Sequence, residues 1–279
     1  MIKMRKSILL KQGSMGAVLA VIGVVFLLPF IYMLSTSFSR QANIALPYPP
    51  QLIPEDFSFF NYIVMLKSFS VGLYYFNSGI VTSSVVGGVL LISSLAGYAI
   101  AKGSFRGKYF IFLLILATMM VPFQIIVVPL YILMLKIKLY DTRLALILPV
   151  MANGYSIFLM IQYMKSIPDE LLDAARIDGC NEFKIMWQIV LPLCKPVLAA
   201  LAVLNFLWNW NSFLWPLIAL EDMNKFTIPI GIAFYQQQFT AYYGTMMAAA
   251  TVAIIPVLIL FVFVQRYVVR GIALTGLKL

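Results

Sequence analysis

Apolar residues form long stretches along this chain, and polar residues are largely confined to the intervals between them. A helix needs about 20 apolar residues to cross the hydrocarbon core of a bilayer. Six stretches reach this length, and they cover residues 15–38, 73–101, 109–135, 144–163, 197–220 and 246–267. The first is interpreted as a span rather than a cleaved signal peptide, because it is long and lacks a small-x-small cleavage site. The pattern predicts an all-α integral membrane protein with six transmembrane helices.

The composition agrees with a lipid environment. Hydrophobic residues occupy 62% of the 279 positions and charged residues 11%, with a mean hydropathy of +0.95, whereas soluble domains carry about 25% charged residues. The chain contains no histidine, which excludes His-dependent catalytic triads, His-ligated zinc and imidazole proton relays. Cys180 and Cys194 match no metal-binding spacing, so we expect neither a metal site nor a catalytic site.

The lysines and arginines predict the orientation, because cytoplasmic loops retain more of them. With both termini inside, 14 of the 20 basic residues lie on the inner side, while the ten acidic residues divide evenly. We therefore predict a multi-pass membrane protein with both termini cytoplasmic. The net charge of +10 then reflects topology and contact with lipid, not binding to nucleic acid.

This topology divides the chain into segments. They are a basic cytoplasmic leader (1–14), the first span (15–38), an external loop (39–72), a five-span core (73–267) and a cytoplasmic tail (268–279). Pro122 and Pro129 interrupt the third span and Pro256 the sixth, so kinks are expected there.

A polar interval inside the core begins at Ser166 and ends at Pro192. Ser166 and Pro168 are typical of a capped helix N-terminus. Gly179 predicts the end of that helix, because helices commonly close on a left-handed residue. A second short helix is predicted from Asn181 until Pro192 ends it. Such a pair of polar helices on the cytoplasmic side is suited to contact with a soluble partner.

The pattern in this interval resembles the cytoplasmic coupling loop of ABC importer permeases. That signature has an acidic residue and two alanines, a glycine four positions after the second alanine, and an Ile-x-Leu-Pro ending. The matching residues are Asp173, Ala174, Ala175, Gly179, Ile189, Leu191 and Pro192. The family often has Glu at the position of Asp173, which changes the length but keeps the charge. Residues 211–217 and 265–271 further resemble the sugar-importer branch, in particular its maltose-type permeases.

The resemblance implies the ABC importer permease fold, a location in a bacterial-type inner membrane and a set of partner proteins. These are a second permease subunit, a dimer of ATP-binding subunits and an extracytoplasmic solute-binding protein. The partner ATPase would use ATP and Mg²⁺, so this chain would bind no cofactor and would not be an enzyme. It contains no Gly-x-x-x-x-Gly-Lys-Ser/Thr nucleotide loop. The residues implied in ATPase coupling are Glu170, Asp173, Ala174, Ala175, Asp178, Gly179, Phe183, Ile189, Leu191 and Pro192.

The predicted spans contain almost no ionisable side chains, whereas ion-coupled transporters keep charged residues near the midplane. The fifth span instead concentrates amides and tryptophans, which can hydrogen-bond to solute hydroxyls and pack on a sugar ring. The predicted solute-pathway residues are Asn205, Trp208, Asn209, Asn211 and Ser212, with Asn77, Gln124, Asn153 and Gln162 as weaker candidates. The alternative is that the amides hydrogen-bond between helices.

Together these features predict a permease subunit of an ATP-driven importer for a carbohydrate or related polar solute. A secondary transporter or facilitator without an ATPase is the alternative, and it explains the spans but not the Ala-Ala-x-x-x-Gly pattern. A membrane-embedded enzyme lacks the titratable cluster that it needs. The sequence leaves open whether the solute is a sugar, a polyol or a glycerol phosphate, and which permease subunit contacts it.

Overall fold

The computed structural model describes residues 2–238 and 242–275, with side chains described over residues 15–236 and 242–262. Within these ranges the regular secondary structure is helical, apart from an isolated β-bridge between Ser39 and Phe57. The predicted all-α class is confirmed. The α-helices are α1 (Ile2–Ser37), α2 (Phe60–Ser68), α3 (Val71–Lys102), α4 (Lys108–Met120), α5 (Phe123–Lys136), α6 (Arg143–Met151), α7 (Gly154–Lys165), α8 (Asp169–Ile177), α9 (Glu182–Ile185), α10 (Leu191–Leu193), α11 (Lys195–Trp210), α12 (Leu214–Ala219), α13 (Ile228–Gln238) and α14 (Tyr243–Thr275).

The chain divides into two compact units. The first contains Met1–Ser70 and Ile232–Ile255, and the second contains Val71–Gly231 and Pro256–Leu279. The predicted division into leader, external loop, core and tail is based on membrane topology, whereas these two units are defined by packing within the chain. That division therefore stays a prediction.

Asn61 organises the first unit. Its fully buried amide donates to the carbonyl oxygens of Ser37 and Ser39, at 3.0 and 2.7 Å. The Asn61 side chain also accepts from the amide of Asn43, whose own oxygen accepts from the Thr245 backbone N–H at 3.0 Å. Buried amides need such partners, so Asn61 and Asn43 join the end of α1 to α2 and the start of α14.

The long helix α3 is central to the second unit, where it packs against α6, α7 and α11. Gly97 permits the approach of α7, because a Cβ atom at this position would lie 2.8 Å from the Cβ of Met160. Small residues allow such close packing in membrane helices. A cluster of buried residues beside this contact, including Met164, Leu172 and Ile185, extends the core to α8 and α9.

Four helical segments are long and apolar enough to cross a membrane. They are Met15–Ser37, Val71–Lys102, Arg143–Lys165 and Tyr243–Val262, and two bent helix pairs raise the number to six if each pair is one span. The helices α4 and α5 form one pair, with a bend of 101°. The break follows from Pro122, because the preceding Val121 is held in an extended conformation. The other two prolines do not break their helices in this way: α5 continues through Pro129, and α14 continues through Pro256.

The fifth predicted span, residues 197–220, is not one helix. The helix α11 ends at Trp210, and α12 starts only at Leu214. On its other side, α11 forms the second bent pair with Glu182–Leu193, at an angle of 76°. Hydrophobicity alone did not reveal the interruption, because the residues on both sides of it are apolar.

Candidate functional site

The residues implied in coupling lie in one interval, residues 166–192, which we call the coupling loop. Its first helix, α8, has Pro168 as its N-cap and no capping side chain. Ser166 instead ends α7, and its hydroxyl donates to the carbonyl oxygen of Tyr163 at 2.7 Å. The predicted capping of α8 by Ser166 is therefore wrong, because this hydroxyl bonds back to its own helix. Asp169 and Glu170 still place negative charge at the N-terminus of α8, where the helix dipole favours it.

Gly179 ends α8 in the left-handed conformation that the sequence predicts, with φ +81°. Its N–H donates to the carbonyl oxygen of Arg176, and the N–H of Cys180 donates to that of Ala175, both at 3.0 Å. This pair of hydrogen bonds is a Schellman motif. No atom lies within 4 Å of a Cβ built on Gly179, so the backbone angle, and not the available space, requires glycine.

The second helix of the coupling loop begins as predicted but does not end at Pro192. Asn181 caps α9, and its side-chain oxygen accepts from the N–H of Lys184 at 2.8 Å. Helical structure then continues through a π-helical turn, Met186–Val190, into α10, which contains Pro192. In a regular helix the proline ring clashes with the carbonyl four residues earlier. The π-helical turn before Pro192 is wider and changes the position of that carbonyl relative to the proline ring. The chain changes direction only near Cys194.

Arg176 joins the two helices of the coupling loop. Its guanidinium donates to both carboxylate oxygens of Glu182, at 2.7 and 3.3 Å, and to Asp173 at 2.7 Å. Paired hydrogen bonds of this kind fix orientation as well as distance. The hydroxyl of Tyr98, near the end of α3, donates to the same Glu182 carboxylate at 2.5 Å. Three helices thus meet at one carboxylate.

A lysine of α3 holds the start of the coupling loop. The ammonium of Lys102 donates to the Asp169 carboxylate at 2.6 Å and to the carbonyl oxygen of Ile167. The hydrogen bond from Lys102 holds the pKa of Asp169 below its ordinary value. Helix α3 therefore contacts the loop at both Tyr98 and Lys102.

The predicted coupling residues divide into a surface set and a supporting set. Ala175 is buried, and Ile189 and Leu191 pack against the core. The other predicted residues are exposed: Glu170, Asp173, Ala174, Asp178, Gly179, Phe183 and Pro192. Ile177, which the sequence did not single out, is 87% exposed, and Phe183 is 67% exposed. The loop therefore presents an apolar surface with acidic residues around it.

A cavity of about 200 Å³ lies in the second unit, and four of the five predicted pathway residues line it. These four are Asn205, Trp208, Asn209 and Ser212; Asn211 is absent from the lining. The complete lining is Val81, Phe123, Leu146, Val150, Asn153, Asn205, Trp208, Asn209, Ser212, Trp215, Pro216 and Thr227. None of these side chains is charged, so the cavity offers amides, hydroxyls and aromatic surface.

The predicted asparagines are in different environments. Asn205 is 1% exposed, and its amide donates to the Ser156 hydroxyl at 3.1 Å and to the Leu201 carbonyl at 2.8 Å. It therefore joins α11 to α7. Asn209 is half-buried and donates to the Asn205 carbonyl oxygen at 2.8 Å. The exposed amide of Asn211 donates back to its own helix, so its pathway role stays a prediction without support from the cavity.

Other cavity residues come from distant parts of the sequence. Asn153, a weaker candidate, caps α7 and lines the cavity. Trp215 and Phe123 meet edge to face, and the Trp215 indole N–H donates to the Ala145 carbonyl at 2.9 Å. Thr227 was not predicted at all, since a lone threonine between a polar loop and a helix carries no local signal.

The helical fold agrees with a comparison to known protein families. Residues 88–274 match the family described as binding-protein-dependent transport system inner membrane component. This chain belongs to that family. It is therefore a multi-pass inner-membrane permease of the ABC importer class, as predicted. It is not itself an enzyme, because the ATPase of these importers is a separate subunit.

Individual relatives support the same assignment along nearly the whole permease. The arabinooligosaccharides transport system permease protein AraQ of Halalkalibacterium halodurans is 38% identical over 93% of this chain and 94% of its own. The sn-glycerol-3-phosphate transport system permease protein UgpE of Yersinia enterocolitica is 33% identical over 91% of this chain and 94% of its own.

A solved structure shows the same fold. It is a bacterial ABC transporter involved in the import of the acidic polysaccharide alginate, with a TM-score of 0.79 and 27% identity over 90% of this chain and 94% of that one. The secondary-transporter alternative is not favoured, since these proteins are ABC transporter components.

Proposed function

We propose that this permease translocates a neutral carbohydrate delivered by an extracytoplasmic binding protein. The observation that carries the proposal is the cavity lining, which combines amides, hydroxyls and tryptophans without a charged side chain. Amides and hydroxyls both donate and accept hydrogen bonds, and aromatic rings give flat apolar surface. The relative AraQ is named for transport of arabinooligosaccharides, which are solutes of this kind.

A glycerol phosphate is the second candidate solute, because UgpE is named for its transport. A phosphate dianion is recognised mainly by arginine, lysine or helix N-termini. The cavity of this permease has no cationic lining residue, so it suits a neutral solute better. An anionic solute would then need its countercharge from another subunit.

The coupling loop would receive the motion of the ATPase. Ile177 and Phe183 supply exposed apolar surface, and Gly179 sets the angle between α8 and α9. In this proposal an ATP-binding subunit dimer uses the ATP and Mg²⁺, this chain binds neither, and a second permease completes the pathway. Closure of the dimer displaces the loop, and Tyr98 and Lys102 pass that displacement to α3.

The proposed topology has six spans, with each bent helix pair counted once, and both termini in the cytoplasm. The distribution of lysine and arginine supports it. A cysteine introduced at Ser70 should then react with an impermeant reagent from outside the cell. Cys180 should react only after the membrane is opened, and the opposite pattern would invert the orientation.

Reconstitution tests the proposed function. The permease, its partner permease, the ATPase and the binding protein are placed in vesicles, and uptake of labelled arabinotriose and sn-glycerol 3-phosphate is measured. We expect arabinotriose uptake that requires both ATP and the binding protein. Uptake of glycerol phosphate alone would contradict the solute class, and uptake driven by an ion gradient without the ATPase would contradict the mechanism.

A further inference from the structure

A second cavity, of about 390 Å³, lies where three helices of the second unit end. Its lining includes Ile100 near the end of α3, Lys108 at the start of α4 and Lys165 at the end of α7. It shares no lining residue with the 200 Å³ cavity described above. None of its lining residues belongs to the predicted coupling or pathway residues, so this cavity has no part in the proposed function.

The cavity lies at the level where the apolar segments end. The candidate spans Val71–Lys102 and Arg143–Lys165 both end with a lysine, and the bent pair that contains α4 begins at Lys108. Lysines at the ends of spans extend to the headgroup region of a bilayer. The same end of α3 carries Lys102, which binds Asp169 of the coupling loop. The proposed topology therefore puts the cavity at the cytoplasmic surface of the membrane.

Lys165 brings a positive charge to the cavity that no carboxylate of the chain balances. Its ammonium lies 5.0 Å from the centre of the Phe112 ring, in a cation–π contact. The ten acidic side chains all belong to the described part of the chain, and none of them forms an ion pair with Lys165. A lysine ammonium has three N–H donors, so contact with one ring leaves donors for a ligand.

Lys108 adds a second positive charge, and backbone carbonyls hold it in position. Its ammonium donates to the carbonyl oxygens of Gly103 and Ala101, at 2.9 and 3.5 Å. These partners are neutral, and among the described residues no carboxylate forms an ion pair with Lys108. The charge of Lys108 influences Asp169, but that carboxylate is bound by Lys102 at 2.6 Å. Two uncompensated positive charges therefore line one cavity, which suits an anionic ligand.

The uncharged part of the cavity lining is largely aromatic. Phe105 is 43% exposed and Tyr109 is 72% exposed, whereas Phe112 is half-buried and Ile100 is buried. Tyrosine is enriched where membranes meet water. Helix α4 contains no buried residue, so apolar surface continues from the cavity along this helix. Such a surface beside two cations suits an amphiphile with a charged head and an apolar chain, whereas a dissolved anion would make no use of it.

We propose that this cavity binds the phosphate headgroup of an anionic phospholipid from the cytoplasmic leaflet. The ammonium groups of Lys108 and Lys165 contact the phosphate oxygens through charge-assisted hydrogen bonds, and an acyl chain lies against α4. Basic pockets between transmembrane helices on this side of the membrane are suited to such headgroups. The volume of about 390 Å³ lies within the range of about 300–1,000 Å³ for small-molecule sites. The inference uses the proposed orientation but does not depend on the proposed solute.

The test measures binding of phosphatidylglycerol to the purified complex of this permease, its partner permease and the ATPase. Native mass spectra are recorded in detergent over a series of lipid concentrations. Lys165→Gln should weaken the binding of one phosphatidylglycerol molecule about fivefold, and the double variant with Lys108→Gln about 25-fold. Lys165→Arg keeps the charge and should bind as the wild type does. Phosphatidylcholine has no net charge and should bind weakly and equally to all variants.

Arg106 offers a matched control. It is exposed and belongs to the same connection between α3 and α4, but it does not line the cavity. Arg106→Gln removes the same charge from the same surface, so phosphatidylglycerol binding should change less than about twofold. Equal losses in Arg106→Gln and Lys165→Gln would show that the surface charge as a whole attracts the lipid, and the cavity would then not be a site.

Two other results would also overturn the proposal. Equal phosphatidylglycerol binding by the wild type and Lys165→Gln would mean that the lysine does not recognise the lipid. Displacement of the lipid by inorganic phosphate at a similar concentration would assign the cavity to a dissolved anion. Each variant is melted without phosphatidylglycerol as a check of folding, and if Lys165→Gln melts lower than the wild type, Lys108→Gln alone should show the fivefold weakening. Because the readout is lipid binding, failure of this site would leave the proposed carbohydrate transport standing.

Discussion

Gly179 is the residue on which the geometry of the coupling loop depends most. Its φ of +81° is strongly unfavourable for a β-branched side chain, at a cost of about 1–3 kcal/mol. Gly179→Val should leave the protein in the membrane and lower uptake at least tenfold. Asparagine tolerates the left-handed region better, so Gly179→Asn should retain much of the uptake. Normal transport by Gly179→Val would remove the main support for the role of the loop.

Asn209 and Asn205 should respond differently to the same substitution. Asn209→Leu removes a half-buried amide of the cavity, and the loss of such a hydrogen bond costs about 0.6–2 kcal/mol in a membrane protein. We expect a several-fold lower uptake at an unchanged protein level and ATPase rate. Asn205→Leu removes the hydrogen bond to Ser156 and should lower the protein level instead. Equal behaviour of the two variants would make Asn209 a packing residue as well.

At the scale of elements, α3 connects the coupling loop to the cavity. Tyr98 contacts the loop, Val81 lines the cavity, and their separation of 17 positions corresponds to about 26 Å of helix. Farther along, Asn77 and Ser78 hold the segment that carries Thr227. One continuous helix, α3, therefore both contacts the coupling loop and lines the cavity.

Tyr98→Phe tests this connection, because it removes only the hydrogen bond to Glu182. The ATPase rate should persist while the amount of solute transported per ATP falls about two- to fivefold. The reason is that the loop would be bound less tightly to α3, so less of its displacement would reach this helix. Tyr109 is exposed, and Tyr109→Phe serves as the control. If Tyr98→Phe transports as efficiently as Tyr109→Phe, the connection through this hydrogen bond is not needed.

Asp141 joins two polar segments of the second unit outside the candidate spans. Its carboxylate accepts from Lys225 at 2.6 Å and from the N–H groups of Glu221 and Asp222 at 3.0 and 3.1 Å. Burial alone would raise the pKa of Asp141, but these hydrogen bonds outweigh burial and lower its pKa below the ordinary 3.8. Its backbone φ is +55°, which asparagine also tolerates.

The lowered pKa of Asp141 predicts a specific pH dependence. A depressed carboxyl pKa stabilises the fold above the ordinary pKa, and that contribution is lost as pH falls through the folded-state value. Thermal unfolding in detergent should therefore show little change between pH 7 and 5 and a decline below about pH 4. Asp141→Asn should cost about 1 kcal/mol at pH 7 and show a smaller decline in acid. An identical acid profile would exclude Asp141 as a contributor.

For the whole molecule, the sequence predicted best what depends on local spacing. The left-handed Gly179 and the grouping of Asn205, Asn209 and Ser212 follow from short stretches of sequence, and the structure contains the left-handed glycine and places these three residues around one cavity. The break after Trp210 and the role of Ser166 were missed, because hydropathy does not register a short interruption and a hydroxyl can cap either neighbouring helix. Thr227 reaches the cavity only through tertiary contacts with α3.

The central claim is that the cavity lies on the solute pathway and that the coupling loop controls access to it. The most direct measurement uses Ser212→Cys in a chain whose Cys180 and Cys194 are replaced by alanine. The rate of modification by an impermeant thiol reagent added outside is measured in the reconstituted complex, without nucleotide and with the ATPase trapped in its ATP-bound state. The account predicts at least tenfold faster modification in the ATP-bound state, and no such difference when Gly179→Val is added. Equal rates with and without nucleotide in the chain that keeps Gly179 would contradict it.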